Sequence, residues 1–394
     1  MAATTAAATT SLASLGLIAD PQLADLDPTE MVCHGTVRRY RGVLPLVKVA
    51  VDAFNTSNVD AVVQLGDLID GGNVKLQQTG AALNTMLNEF ARCNCGRENI
   101  HHVVGNNELR NFSRTELESA DAWIGRRSTQ SSRLYYSFLA STGWRVIILN
   151  TFAVSVLNVK DGDEGAEQLV KRTLCAYEGF RNLSPGDDLS KFIALFPPWP
   201  NPMPSHNPLR RVAANNGACG DEQRAWLQQE LRTAAASGEH VIVCGHNPVL
   251  PAVCNDLDSL AWDYDAVLEL LRSTDGRACV RAYFAGHDHR GGYARDGDGD
   301  SGTHHVTMPA PLEAEDSTGS RFAVASLHAD GGIELRGEGW LRMEPGTCLM
   351  VEAEASKVVG WERKGCPVLD LSAGIELEPR RQSSECTWSA TVTT

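Results

Sequence analysis

The sequence lacks several features that would each assign a protein to a particular class. Its 394 residues contain no run of about 18 uninterrupted apolar residues, the length that a membrane-spanning helix needs. Basic residues are also scarce, since 35 lysines and arginines stand against 49 acids and the net charge is −14. A broad basic face for nucleic-acid phosphates is therefore not expected. We predict a protein that binds neither a membrane nor a nucleic acid; nothing in the sequence indicates an oligomeric state.

The eleven cysteines lack the even number and the regular spacing of a disulfide framework. Such frameworks belong mainly to small secreted domains, so we expect reduced thiols and a cytoplasmic location. The one close pair, Cys93 and Cys95, has no second pair at ligand spacing. This pattern argues against a structural zinc site.

The first fourteen residues contain no charged side chain and are rich in alanine and threonine. A secretory signal needs a basic segment followed by an apolar one, and a mitochondrial transit peptide needs arginines. Neither pattern is present. We expect residues 1–14 to form a flexible leader.

Short apolar runs alternate with helical patterns through most of the chain, which predicts a layered α/β fold. From Arg38 to Asn55 the apolar residues recur at the spacing of a helix face, and a second helix is expected to open at Asp221. The predicted strands are Leu15–Ala19, Ala61–Leu65, Ile100–Val104, Trp144–Leu149, His240–Cys244, Val280–Ala285 and His305–Met308.

We expect one domain over residues 15–340, interrupted and followed by two less regular regions. Residues 158–220 contain a proline-rich stretch that can continue neither a helix nor a central strand, so this region is predicted to be an inserted loop. The polar segment 341–394 ends in serine and threonine and is interpreted as a C-terminal extension of uncertain order.

Polar residues of the types that bind metals follow five of the predicted strands directly. Ligands in open α/β sheets bind at the carboxyl ends of the strands, where these residues should meet. Carboxylates, amide oxygens and neutral imidazoles suit Mn²⁺, Fe or Mg²⁺, and the absence of thiolates argues against structural zinc. The residues occur in the segments Asp20–Gln22, Gly66–Asp70, Gly105–Glu108, Gly245–His246 and Gly286–His289.

This order of motifs resembles the calcineurin-like metallophosphoesterase family, whose pattern runs D-x-H, GDxxD, GNH followed by an acid, a mid-chain histidine and GHxH. The resemblance covers roughly residues 15–310. More narrowly, IADPQLADL, QLGDLIDG, HHVVGNNELRNFSR, AWDY and GHDHRGGY look like the branch of Mn-dependent ADP-ribose/CDP-alcohol diphosphatases. The resemblance implies a layered β-sandwich flanked by helices, with long inserted loops.

The resemblance also implies two divalent metal ions, with Mn²⁺ favoured and Fe or Mg²⁺ as alternatives. Two ions about 3.5–4 Å apart would hold both oxygens of an in-line displacement at phosphorus and activate water. Asp67 would bridge the ions and, with Asn106 and Asn107, form the catalytic group. One ion would be held by Asp20, Gln22, Asp67 and His289, and the other by Asp67, Asn106, His246 and His287.

One departure from the family pattern bears on the mechanism. Asn107 stands where the family has a histidine that contacts the phosphoryl group or protonates the leaving oxygen. General acid catalysis is worth about 10²–10⁴ in rate, and an asparagine cannot supply a proton at neutral pH. Because the missing acid matters least for a weakly basic phosphate leaving group, the substitution favours cleavage of a diphosphate. It also leaves open a weakened enzyme.

Further residues near the motifs are candidates for contacts with the substrate. Two arginines lie in an RRY segment that matches the branch, although a solvent-exposed helix turn explains them equally well. Others directly follow the third and the last motif. The candidates are Arg38, Arg39, Asn111, Phe112, Arg114 and Tyr293.

The sequence therefore predicts a dinuclear metal-dependent hydrolase that splits the pyrophosphate of nucleoside diphosphate derivatives such as ADP-ribose or CDP-alcohols. One alternative is a nucleotide-binding homologue with little turnover because of Asn107. A second alternative is another phosphomonoesterase or phosphodiesterase, and a protein phosphatase is the weakest reading.

Overall fold

The computed structural model describes residues 11–31, 35–119, 134–159, 163–196, 208–297, 302–314, 321–337, 340–344 and 347–350. The strands are β1 Ser11–Ile18, β2 Thr29–Met31, β3 Thr36–Arg38, β4 Ala61–Gln64, β5 Ile100–His102, β6 Tyr136–Ser141, β7 Trp144–Ile148, β8 His240–Cys244, β9 Val280–Ala285, β10 Gly292–Asp296, β11 Thr303–Thr307, β12 Phe322–His328, β13 Ile333–Arg336, β14 Trp340–Glu344 and β15 Thr347–Met350. The α-helices are α1 Val43–Thr56, α2 Asn73–Leu76, α3 Thr79–Phe90, α4 Asn106–Asn111, α5 Arg114–Glu118, α6 Glu164–Leu174, α7 Leu189–Ile193, α8 Gly220–Ala236, α9 Tyr264–Arg272 and α10 Thr274–Cys279.

Two sheets form the centre of the molecule. Sheet A has the order β15-β14-β13-β12-β1-β4-β5, and sheet B has the order β10-β11-β9-β8-β7-β6. Strands β1, β4 and β5 run parallel within sheet A, as do β7, β8, β9 and β11 within sheet B. Parallel neighbours place their carboxyl ends along one edge, which is the edge where polar residues follow the strands.

The core consists of three apolar layers because each sheet is covered on both faces. Between the sheets, Leu15 and Leu17 of β1 lie in one cluster with Ile148 of β7 and Phe284 of β9. Helices α1 and α3 pack on the outer face of sheet A, and α8, α9 and α10 pack on the outer face of sheet B. The layered α/β sandwich predicted from the sequence is confirmed.

Two local predictions were wrong. The helix expected from Arg38 begins only at Val43, since Arg38 pairs with Thr29 across β3 and β2 and a short 3₁₀ turn follows. Pro45 is then the third helical residue, where its missing N–H costs nothing.

The second wrong prediction is the irregular loop at residues 158–220, which in fact contains α6 and α7. Val170 and Leu174 of α6 pack with Phe192 of α7 and with the fully buried Trp262. This small apolar cluster stabilises an insertion whose sequence pattern is too polar for its helices to stand out.

The predicted ends of the domain fall partly outside the described residues. The leader prediction applies to residues 1–14, of which 11–14 belong to β1. The boundary at residue 340 falls within β14, and residues 351–394 lie outside the described part, as does the proline-rich stretch 197–204. Within the described residues, each helix is too short or too polar to span a bilayer.

Candidate metal centre

The candidate site lies where the carboxyl ends of strands from both sheets meet. Asp20 follows β1 and Asp67 follows β4 in sheet A, while His246 follows β8 in sheet B. One potential ligand atom from each of these three side chains lies within 4.8 Å of the others. All three are essentially buried, with exposures of 0%, 1% and 0%. Two carboxylates and an imidazole without access to water form an environment that favours a cation.

The backbone around the site is strained at several of the predicted metal ligands. Seven non-glycine residues of the described part have a left-handed φ, and four of them are predicted metal ligands. Such conformations cost about 1–3 kcal/mol each and concentrate at functional sites. The four are Asp20 (φ 51°), Gln22 (φ 48°), Asp67 (φ 56°) and His287 (φ 68°).

Two buried amide oxygens at the site have no hydrogen-bond partner. They are Oε1 of Gln22 and Oδ1 of Asn106. The amide nitrogen of Gln22 instead faces Oδ2 of Asp67 at 3.1 Å and Nε2 of His289 at 3.0 Å. Because an unpaired buried polar atom costs about 1–3 kcal/mol, these oxygens are expected to have a partner in the working protein. A divalent cation that prefers oxygen ligands satisfies this requirement.

Each histidine is held through the ring nitrogen that points away from the site. His246 donates from Nδ1 to the carbonyl oxygen of Leu65 at 2.7 Å. His287 donates from Nε2 to Oδ1 of Asn216 at 2.8 Å, and His289 donates from Nδ1 to Oε1 of Glu313 at 2.8 Å. These contacts fix the tautomers and leave the opposite nitrogens available as ligands.

Glu108 ties the loops after β4 and β5 together. It accepts hydrogen bonds from the backbone N–H groups of Gly105, Asp67 and Leu68 at 2.7–2.8 Å. Position 105 must be glycine, since a Cβ atom there would overlap Oδ1 of Asp67. The sequence motif contains Glu108, but its anchoring role appears only in three dimensions.

The pKa values of the buried acids and of His289 are shifted because these groups are packed closely together. Burial raises the pKa of Asp67, and burial together with the nearby Asp67 raises the pKa of Glu108 to about 7. Burial also opposes ionisation of Asp20, but the charge of His246 and the hydrogen bond with His289 outweigh it and lower the pKa. Burial and Arg38 oppose protonation of His289, yet hydrogen bonds to Asp20 and Glu313 raise its pKa to about 9.

Asn107 is directed toward Asp67. Its backbone N–H donates to Oδ1 of Asp67 at 2.8 Å, and its side-chain amide donates to Oδ2. Its own Oδ1 accepts from the N–H of Gly71 at 3.0 Å. The side chain that replaces the family's histidine therefore holds a carboxylate in position.

The predicted substrate residues are mostly engaged elsewhere. Arg39 donates to the carbonyl oxygens of Val37 and Ala314. Asn111 contacts Thr79 and two backbone carbonyls. Three further candidates face neighbouring structure: Phe112 packs in two apolar clusters, Arg114 pairs with Glu118, and the hydroxyl of Tyr293 lies 3.0 Å from Nδ1 of His304.

Arg38 is the sequence candidate that lines a cavity beside the site. The cavity has a volume of about 250 Å³ and reaches from His287 and His289 outward. The Nε atom of Arg38 also lies 3.4 Å from Oε1 of Glu313. Sequence reasoning missed the other polar residues of this wall. Arg290 directly follows His289 in the last motif segment, and the remaining residues come from loops without a motif: Asn215, Asp256, Asp258 and Ser259.

Comparisons with known proteins agree with this geometry. Residues 14–291 match the calcineurin-like phosphoesterase family. A manganese-dependent ADP-ribose/CDP-alcohol diphosphatase of Danio rerio is 31% identical over 334 residues, covering 83% of this chain and 95% of that protein. The Homo sapiens protein of the same name is 30% identical over 342 residues, covering 83% and 90%.

A solved structure is also similar to this chain. The crystal structure of a dimetal phosphatase from Danio rerio has a TM-score of 0.70 and 29% identity, and the match covers 87% of this chain and 99% of that one. The chain therefore belongs to the calcineurin-like phosphoesterase family and is a metal-dependent phosphoesterase.

Proposed function

We propose that this enzyme uses two Mn²⁺ ions to hydrolyse the pyrophosphate bond of nucleoside diphosphate derivatives such as ADP-ribose and CDP-alcohols. The observation that carries the proposal is the buried cluster of Asp20, Asp67 and His246, which offers three ligand atoms within 4.8 Å of one another. The names of the relatives, which match over most of their length, support the substrate class.

The donor set fits divalent ions of the manganese type. Oxygen atoms predominate, and two of them, Oε1 of Gln22 and Oδ1 of Asn106, are buried without a hydrogen-bond partner. Gln22 supplies a neutral oxygen in place of an imidazole, which makes the site harder and less suited to zinc. We propose as ligands Asp20, Gln22, Asp67, Asn106, His246, His287 and His289.

Bound ions would supply Lewis-acid stabilisation of the phosphoryl oxygens and activation of water. Hydrogen bonds from neighbouring side chains hold three of the proposed ligands in position. Asn107 keeps Asp67 oriented through two hydrogen bonds, and Glu313 and Asn216 fix the tautomers of His289 and His287. Such outer contacts typically contribute 10–100-fold to metal affinity or activity.

The substrate class is consistent with the absence of an acid at position 107. Asn107 is committed to Asp67 and Gly71 and has no proton to give to a leaving oxygen. Hydrolysis of ADP-ribose expels a phosphate monoester, which is weakly basic and leaves without strong general acid assistance. An alkoxide leaving group would depend on that assistance much more.

The cavity beside the centre offers a place for the rest of the substrate. Its wall carries both signs of charge, since Arg290 lies 3.2 Å from Asp256 and Arg38 lies nearby. Carboxylates can accept from sugar hydroxyls, and guanidinium groups can contact phosphate. We propose that one of the two monophosphate halves of the substrate occupies this cavity.

The proposal includes a reducing, cytoplasmic location. Seven cysteines of the described part are free thiols, which supports such a compartment. Reducing conditions would keep buried thiols such as Cys219 and Cys244 unmodified.

The test is hydrolysis of ADP-ribose by the purified full-length chain with Mn²⁺. We expect release of AMP and ribose 5-phosphate, with Asp67→Asn as the inactive control. No AMP above a metal-free reaction, across ADP-ribose and several CDP-alcohols, would refute the proposal. Activity on a phosphopeptide in the absence of diphosphatase activity would identify a protein phosphatase instead.

A second candidate function is a nucleotide-binding protein with little turnover. The presence of Asn107 favours it, because an asparagine cannot donate a proton to the leaving group. Asn107→His separates the two functions. A rise in turnover by orders of magnitude at unchanged ligand affinity would identify the natural protein as a weakened catalyst or binder. We expect instead no gain, because the substitution removes the amide that donates to Asp67.

A further inference from the structure

Arg110 lies on the same wall of the site as Asn107, although it lies outside the four-residue motif Gly105–Glu108. It sits in α4 one helical turn after Asn106 and Asn107, so the three side chains share one side of the helix. A Cβ atom built at Gly71 would lie 2.7 Å from Cδ of Arg110 and 2.9 Å from Oδ1 of Asn107. The arginine stem and the asparagine amide therefore pack side by side over Gly71.

The guanidinium group reaches a residue that lines the cavity beside the metal centre. Its Nη2 donates to Oδ1 of Asn215 at 2.6 Å. Asn215 lines the cavity together with His287, and the next residue, Asn216, holds His287 through Nε2. The guanidinium therefore lies between Asn107 of the centre and Asn215 of the cavity wall.

The charge of Arg110 is not neutralised by a carboxylate. The other arginines around the cavity are paired: Arg38 with Glu313, and Arg210 and Arg290 with Asp256. Among the residues that the structure describes, the ion pairs do not include Arg110, whose hydrogen-bond partner is a neutral amide. Its side chain is exposed and can exchange that partner for a ligand.

The stem of Arg110 also lies close to the centre itself. It packs over Gly71 beside Oδ1 of Asn107, and the side-chain amide of Asn107 donates to Oδ2 of Asp67. One asparagine therefore separates the arginine from a proposed metal ligand.

We infer that Arg110 binds the diphosphate of the substrate and supplies, one helical turn further along α4, a positively charged donor that Asn107 cannot supply. This inference rests on the proposed diphosphatase function. A planar guanidinium can contact two phosphate oxygens at once, which suits it to a pyrophosphate. Its present partner, Asn215, would be released or shared when the substrate enters.

The experiment measures binding and turnover separately. Arg110→Ala and Arg110→Gln remove the charge, Arg110→Lys retains it without the planar fork, and Arg232→Ala removes an exposed arginine on α8 as a control. Each Mn²⁺-loaded variant is titrated with the α,β-methylene analogue of ADP-ribose, assayed with ADP-ribose, and analysed for bound Mn²⁺.

We expect Arg110→Ala and Arg110→Gln to weaken binding of the analogue by about 10–100-fold, the range of a charge-assisted hydrogen bond. Arg110→Lys should recover part of this loss. Bound Mn²⁺ and the melting temperature should equal those of the wild type, and Arg232→Ala should change none of the quantities.

Two results would overturn the inference while the proposed function stands. One is wild-type affinity and kcat/KM in Arg110→Ala when the wild type cleaves ADP-ribose. The other is a loss of Mn²⁺ in the variant that accounts for the whole loss of affinity, which would make Arg110 a support of the metal site. A wild type that cleaves no diphosphate would instead refute the proposed function, and the inference with it.

Discussion

The metal centre and the neighbouring cavity are built in different ways although they share His287 and His289. At the centre, four residues have a left-handed φ. Each of the three histidines is held through the ring nitrogen that points away from the site. Around the cavity, half-buried side chains from separate loops pair with one another, as Arg290 does with Asp256. The difference indicates that the backbone fixes the metal ligands, whereas side-chain pairing shapes the substrate region.

This difference explains why substitutions in the two regions should have unequal effects. No neighbouring side chain can take the place of a metal ligand at the centre. The strained backbone and the hydrogen bonds behind each ligand hold it in one orientation. A residue of the cavity can shift to another rotamer or exchange partners at small cost. The predictions below test the contrast, from the largest expected effect to the smallest.

Asp67→Asn should nearly abolish activity. The asparagine retains the size and one oxygen but removes the negative charge that makes two neighbouring cations tolerable, and its amide group would face the donors of Gln22 and Asn107. We expect activity to fall by more than the roughly 10–100-fold that is typical of residues hydrogen-bonded to metal ligands. Bound Mn²⁺ should fall from about two ions per chain toward one or none. Metal analysis and AMP release measure both effects.

Asp70→Asn is the matched control for this variant. Asp70 belongs to the same motif, but its Oδ1 accepts from the N–H of Gly72 at 2.7 Å. The effect should be milder, at most about 10–100-fold. If Asp67→Asn kept two ions and normal turnover, the centre would have to be organised differently.

Mn²⁺ should stabilise the fold because the centre concentrates buried carboxylates and leaves two amide oxygens unpartnered. A ligand that binds only the native state at 100 times its Kd adds about 2.7 kcal/mol to the free energy of unfolding. Thermal unfolding with Mn²⁺ and with EDTA measures the shift. Asp67→Asn should lose most of it, and an equal melting temperature in both solutions would contradict the assignment.

Glu313→Ala should weaken Mn²⁺ binding by about 10–100-fold, since it removes the acceptor that orients His289. Glu313→Gln keeps an acceptor for Nδ1 but loses the charge beside Arg38, so its effect should be smaller. Equilibrium dialysis of Mn²⁺ measures both variants, with Glu334→Gln of sheet A as the control. Equal affinities for all three variants would show that His289 does not need Glu313.

Glu313 also illustrates what the sequence could not reveal. Asp20, Asp67 and His246 are readable because each follows a strand directly, so local sequence determines their place in space. Glu313 lies in a 3₁₀ turn after β11, and Asn216 lies in the segment before α8. Their contacts arise only when distant segments pack together, and their residue types are common in any loop.

The secondary structure was predictable to a similar degree. The seven predicted strands have enough apolar residues to stand out, because parallel strands are buried on both faces. The start of α1 was misplaced because Arg38 pairs with β2, a contact of three residues that no periodicity signals. Helices α6 and α7 were missed because their apolar stripe is narrow and relies on Phe180 and Trp262 from elsewhere.

Tyr293→Phe should have the smallest effect, and mainly on stability. The sequence suggested a substrate contact, but the hydroxyl lies 3.0 Å from Nδ1 of His304, and the ring packs against the core between the sheets. Losing this hydrogen bond should lower the free energy of unfolding by about 0.5–1.5 kcal/mol. The KM for ADP-ribose should not change, in contrast to Arg110→Ala measured alongside. A tenfold rise in KM at unchanged stability would instead place Tyr293 at the substrate and extend the site beyond the cavity described above.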